Sequence, residues 1–157
     1  AVIFRHYNHA RRQRIAHQLV NLAHSRGLKV LISGDLKLAR QTSADGVHLP
    51  SHLLGTRHAR LLTNTPPYWM ITAAIHSRWD LWRATKLNID AILVSPVYET
   101  TTQVQRQALG PIGLRRLTCA SLIPVFALGG LNLSALPRLK NTGAVGFAGI
   151  GEFLKFI

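Results

Sequence analysis

The chain has 157 residues, and at roughly 150 residues per domain that predicts a single domain over 1–157 with a core of its own. An apolar share of 47% excludes intrinsic disorder. The charge is lopsided, 19 Lys and Arg against 6 Asp and Glu for a net +13, which suits phosphorylated or polyanionic partners and says nothing of fold.

The single cysteine, Cys119, excludes an internal disulfide and a cysteine-cluster zinc site, and is expected as a small buried apolar residue. No apolar run approaches the roughly 18 residues that would span a bilayer, and no signal peptide is visible. The expectation is therefore a cytoplasmic protein without a membrane partner. The chain begins at Ala1 rather than at methionine, which predicts a preceding segment.

Seven short apolar runs alternate with helical patterns. They are Val2–Phe4, Lys29–Ile32, Gly46–Leu49, Met70–Ala74, Ala91–Val94, Pro124–Leu128 and Val145–Gly149. None alternates apolar with polar, which is how strands buried on both faces of a parallel sheet read. Between them, Asn8 is expected to cap a helix bearing Ile15, Leu19, Leu22 and Ala23 that stops at Gly27. Ser77 with Asp80 forms a capping box ahead of Leu81–Leu87. Leu114–Leu122 reads as a further helix. Asn132 or Ser134 starts another, where Pro137 is tolerable only in the first turn, and a last helix begins near Glu152.

Strand-then-helix units repeated along a chain are the plan of an α/β fold, a (β/α)8 TIM barrel at about 250 residues for eight units. With seven runs, the first strand–helix unit is apparently missing. The open seam between first and last runs predicts cover by a preceding segment or by a second copy in a homodimer. No Gly-rich loop follows an early strand, which counts against a Rossmann fold.

In such a barrel function lies on the loops that follow the strands. Gly129, Gly130, Gly149, Ile150 and Gly151 follow the last two, where exposed N–H groups and a helix start favour phosphate. His76 ends a central strand and carries an imidazole, a group able both to accept and to donate a proton, as a proton-transfer catalyst must. Arg5, His48, Ser95, Thr100 and Thr102 stand beside strand ends as substrate-binding candidates, although His48 lies inside its strand and suits a buried ring. Only Asp35 and Glu99 are acidic on these loops, a poor basis for a magnesium site, so no metal is expected. Arg11, Arg12 and Arg14 read as a solvated outer face, and without interleaved aromatics they do not indicate nucleic acid.

Five blocks carry a resemblance. Ala44–Leu49 (ADGVHL), Ser95–Thr102 (SPVYETTT), Leu109-Gly110, Pro124–Leu131 (PVFALGGL) and Gly143–Gly151 (GAVGFAGIG) resemble, in order and spacing, the thiamine phosphate synthase and thiazole tautomerase superfamily. The resemblance implies a (β/α)8 barrel that takes a small phosphorylated thiazole. The synthase branch joins that thiazole to a pyrimidine diphosphate and releases pyrophosphate, with magnesium. Its Asn-Asp pair stands here as Ser33-Gly34, its second acidic ligand as Leu53, two of its lysines as Tyr7 and Gln103, and a serine as Ala74, while Arg5 and both threonines are kept. The tautomerase branch moves a proton on a thiazole carboxylate phosphate without metal. Its His-Ser pair matches His76-Ser77, and its Val-Tyr-Glu-Thr segment matches Val97–Thr100. The resemblance therefore ranks tautomerase-like isomerisation by His76 first, with Arg5 on the carboxylate, no cofactor, and magnesium only in the synthase case. The synthase, a non-catalytic binder of thiazole or thiamine phosphate, and a nucleic-acid binder follow in that order.

Overall fold

The structure, a computed structural model, describes residues 1–100 and 107–150, which contain seven strands, β1 to β7. They divide into two compact units, Ala1–Thr72 and Ala73–Ile157.

The first unit holds β1 (Val2–Phe4), α1 (Arg12–His24), β2 (Val30–Ser33), α2 (Leu36–Gln41) and β3 (Gly46–Leu49). Short helical turns follow at Ser51–Leu53 and Leu61–Asn64, with α3 (Arg57–Arg60) between them. Then β4 (Met70–Ile75) begins. β1 pairs with β2 at Ile3↔Leu31, and β2 with β3 at Ile32↔Val47 and Ser33↔His48. Val30, Leu31, Ile32, Val47 and Leu49 are almost wholly buried, as the unbroken apolar runs require. The buried face of α1 is Ala16, Val20 and Ala23, spaced four and then three residues apart on one stripe.

That helix begins later than the sequence suggests. Asn8 does not cap it: Arg11 stands at the cap position without a side-chain cap bond, and its N–H goes to the ring Nδ1 of His9 at 3.0 Å. The stop is as expected, with Gly27 at φ 66° and the Leu28 N–H bonded to the Ala23 carbonyl at 2.9 Å. Asp45 ties the helix end to the sheet, since its Oδ2 accepts from His24 Nε2 at 2.8 Å and from the Val30 N–H at 2.7 Å. Next to it only glycine fits, because a Cβ on Gly46 would land on the Met70 carbonyl.

The second unit holds α4 (Arg78–Ala84), β5 (Ala91–Val94), α5 (Gly110–Cys119), β6 (Val125–Leu128), a 3-10 segment (Leu133–Leu139) and β7 (Gly146–Ala148). β5 pairs with β6 at Leu93↔Phe126 and β6 with β7 at Phe126↔Gly146. Its core includes Ile75, Ile92, Val94, Val97 and Leu114, while Phe147 on β7 is exposed. Each such fully buried aliphatic side chain stabilises by about 1.5–3 kcal/mol relative to exposure.

Of the expected capping box the Ser77 half forms, its hydroxyl accepting the Asp80 N–H at 3.1 Å, while the Asp80 carboxylate goes to the His76 N–H, and α4 already ends at Ala84. Asn132 caps its segment by accepting the Ala135 N–H at 2.9 Å. Pro137 lies inside that 3-10 segment, past its first turn, where it contributes no N–H. Cys119 corrects an expectation: it is exposed. α5 buries Leu114 and Leu117, and Cys119 stands about 200° around the helix from Leu117.

Candidate functional site

In parallel α/β sheets ligands bind beyond the carboxyl ends of the strands. In the first, the Tyr7 hydroxyl after β1 meets the Ser33 Oγ at the end of β2 at 2.7 Å. Gly34 follows at φ 69°, its N–H on the His48 carbonyl at 2.9 Å. A Cβ there would touch Leu53 at 3.6 Å and Pro50 and Tyr7 at 3.7 Å. Tyr7, Ser33, Gly34 and Leu53, four of the positions that depart from the synthase pattern, thus stand against one another.

Asp35 caps α2. Its Oδ1 accepts the Leu38 N–H at 2.9 Å and its Oδ2 pairs with Arg12 Nη1 at 2.5 Å. Burial alone pushes the Asp35 carboxyl up, but the Leu38 N–H and the Arg12 guanidinium outweigh it and hold its pKa below the ordinary carboxylate value. Arg12 also donates to the His6 carbonyl at 2.5 Å and to the Ser33 carbonyl at 3.3 Å. It is therefore a clamp between the ends of β1 and β2 rather than part of a solvated face, while Arg11 and Arg14 are exposed. Arg5 is exposed after β1. His48 is buried inside β3 with its Nδ1 2.9 Å from the Thr72 hydroxyl.

This donor set does not fit magnesium. A hard cation takes carboxylates and waters. Gly34 and Leu53 bring no donor, the Ser33 hydroxyl is engaged by Tyr7, and both Asp35 oxygens are engaged. Among the described residues no three His, Cys, Asp or Glu side chains are grouped to hold a metal.

In the second unit the strand ends draw several candidates together. His76 follows β4 half-buried, its Nδ1 2.7 Å from the Ser95 carbonyl and 3.3 Å from the Ser95 hydroxyl. A carbonyl only accepts, so Nδ1 carries the proton in the neutral ring and Nε2 presents the lone pair. Ser95 is buried and precedes Pro96 through a cis peptide. The segment from Pro96 then lies on the turn after β6: the Val97 N–H bonds the Leu128 carbonyl at 2.9 Å and the Tyr98 N–H that of Gly129 at 3.0 Å.

Gly129 and Gly130 have φ 94° and 64°, a backbone that favours glycine. A Cβ on Gly129 would stand 2.9 Å from Pro96 Cα and 3.5 Å from the Thr100 methyl. On Gly130 it would stand 2.5 Å from the Glu99 carbonyl oxygen. Both glycines are thus required by the close passage of residues 96–99. Gly149 and Ile150 follow β7, Ile150 exposed. Thr102, Gly151 and the expected helix near Glu152 lie outside the described residues.

Sequence reasoning missed the Tyr7–Ser33 pair, the Arg12 clamp and the reach of Asp80 past its cap to the His76 N–H at 3.0 Å. The first two join residues 26 and 23 positions apart, and no local pattern announces them.

A family model described as thiamine monophosphate synthase matches residues 1–153. A thiamine-phosphate synthase of Synechococcus sp. (strain WH7803) is 33% identical over 129 residues, which are 82% of this chain and 36% of that protein. One of Methanospirillum hungatei JF-1 is 31% identical, over 89% of this chain and 68% of that protein. Against the Synechococcus relative and one from Prochlorococcus marinus (strain MIT 9313), the chain spans 36% and 39% of their length. A solved thiamine phosphate pyrophosphorylase from Pyrococcus furiosus superposes with a TM-score of 0.76 at 22% identity, covering 94% of this chain and 69% of that one. That likeness shows a shared (β/α) fold, of which the described residues carry seven strands. The relatives' names do not support the preference for isomerisation and agree instead with the joining reaction ranked second.

Proposed function

The chain belongs to the thiamine monophosphate synthase family, and from that premise we propose that it acts in thiamine biosynthesis on a phosphorylated thiazole, joining it to a pyrimidine diphosphate with release of pyrophosphate. What carries this reading is the family match over residues 1–153 together with relatives named for that product at 31–33% identity. The chain's own residues would do the binding. With Gly34 and Leu53 where acidic ligands would stand, the charge of the departing pyrophosphate falls to the chain's cations, 19 Lys and Arg against 6 acids. The turn at Gly129 and Gly130 would hold the thiazole phosphate through its N–H groups.

One observation favours a second reading. His76, with Nδ1–H on the Ser95 carbonyl, offers Nε2 as a proton acceptor and then, as imidazolium, as a donor. That suits a proton shift within a bound thiazole carboxylate phosphate, which needs no metal. Two incubations followed by chromatography separate the readings: the chain with both synthase substrates, and the chain with the thiazole carboxylate tautomer. Thiamine phosphate in the first supports joining. An isomerised thiazole in the second, with no thiamine phosphate in the first, supports the proton shift. No product in either, with no heat of thiazole phosphate binding by calorimetry, sinks both.

A further inference from the structure

In a capping box the third helical residue returns its side chain to the backbone N–H of the cap itself. Asp80 occupies that third position in α4 and does otherwise: its Oδ2 accepts the N–H of His76, one residue before the Ser77 cap, at 3.0 Å. Its Oδ1 takes Arg83 Nη2 at 2.5 Å, and the residue is buried, 6% exposed. A hydrogen bond to an ionised acceptor is about twice as strong as a neutral one. The carboxylate thus goes to the residue whose ring stands at the strand end, and Ser77 Oγ alone makes the cap. The His76 ring is held from the other side by the Ser95 carbonyl, 2.7 Å from Nδ1. Two anchors, one on the backbone and one on the ring, leave the imidazole little freedom.

We propose that Asp80 is a positioning residue for His76: by fixing its backbone N–H it holds the ring on the Ser95 carbonyl, selects the Nδ1–H tautomer and leaves Nε2 as the proton-accepting atom. The proton balance is simple. Nε2 takes one proton from the bound ring, the imidazolium keeps Nδ1–H on Ser95, and the same proton is returned to a different atom. Asp80 touches no substrate. The inference rests on the reading that His76 moves a proton, and the experiment lets the two fail separately.

Ring-labelled [15N]histidine protein is observed by NMR well above the ordinary imidazole pKa of about 6.5, with His76→Asn identifying the signals. Wild type should show a pyrrole-like Nδ1 and a pyridine-like Nε2. Asp80→Ala should average the two and lower kcat for the proton shift at least tenfold with KM unchanged. Asp80→Asn, which keeps an acceptor oxygen, should restore the wild-type pattern and most of kcat. Ser77→Ala should lower the melting temperature and leave the tautomer alone. If Asp80→Ala does not fold, Asp80→Asn and Ser77→Ala decide the matter. A pyrrole-like Nε2 in wild type, an unchanged pattern in Asp80→Ala, or a tautomer that is lost with the Ser77 cap overturns the inference. The expected pattern in a protein that turns over no thiazole would support the role of Asp80 and refute the proton-shift reading.

Discussion

Gly130→Ala tests why the turn after β6 is built from glycine. The residue has φ 64°, and a Cβ there would lie 2.5 Å from the Glu99 carbonyl oxygen and 2.7 Å from Tyr98 Cβ. Left-handed backbone costs an alanine about 1–2 kcal/mol. The overlap requires the neighbours to move by about 1 Å to reach the roughly 3.5 Å of a normal carbon contact. One of those neighbours is backbone, so the typical overpacking cost of about 1–3 kcal/mol applies. Together the substitution should destabilise by about 2–5 kcal/mol, a fall of roughly 4–20 °C in melting temperature for a chain of this length. Gly110→Ala is the control: its φ is 63° and its Cβ would meet nothing within 4 Å. It should show the backbone cost alone, about 1–2 kcal/mol. Urea unfolding followed by far-ultraviolet circular dichroism reads both. Equal losses at the two positions would refute the close approach, and a Gly130→Ala protein within about 0.5 kcal/mol of wild type would refute the whole argument.

His76→Asn should lower turnover by about 10²–10⁴-fold if the ring moves a proton, with the unfolding curve nearly unchanged; wild-type turnover would remove the proton-shift reading. Asp45, like Asp35, is pushed up by burial but held below its ordinary value overall, by the Val30 N–H and by His24. Each therefore contributes stability that is present above the ordinary Asp pKa of about 3.9 and lost as pH falls through the lower folded value. The stability gap between wild type and Asp45→Asn should shrink in acid titrations below about pH 4, and a gap that widens there contradicts the sign. The Tyr98 hydroxyl is buried without a hydrogen-bond partner among the described residues, a cost of about 1–3 kcal/mol. Tyr98→Phe should hold or raise the melting temperature, and a loss above about 1 kcal/mol would reveal a partner.

The strands were legible because each is a short apolar run, a signal that needs no knowledge of neighbours; β2, β3 and β5 are buried throughout, whereas Phe147 leaves β7 exposed. β1, β3 and β5 fall on their expected residues, and each bound of the others lies within one residue of expectation. Helix starts were less legible where a side chain outside the pattern intervened, as His9 does at α1. Arg12 looked like a solvated charge because sequence shows three arginines together but not the Asp35 and the carbonyls that one of them reaches. Ser77 was readable as a cap, yet the reach of Asp80 to His76 was not, since the same spacing serves both. Gly129 and Gly130 were singled out for phosphate, and the packing of residues 96–99 against them gives a second cause that only the fold displays. The departures at Tyr7, Ser33, Gly34 and Leu53 pointed toward isomerisation, whereas relatives at 31–33% identity bear the synthase name. Sequence could show that those ligands were absent, but not that their replacements pack against one another.

The proposed reaction on a phosphorylated thiazole would use the chain's own cations in place of a metal cradle. Phosphorus NMR of the chain with thiazole phosphate and the pyrimidine diphosphate, run with excess magnesium and again with a chelator, tests it most directly. Pyrophosphate and thiamine phosphate signals should grow at rates within about twofold of each other in the two samples, because Gly34 and Leu53 bring no side-chain carboxylate to bind the ion. Growth in magnesium that the chelator abolishes, or no pyrophosphate in either sample, would contradict it.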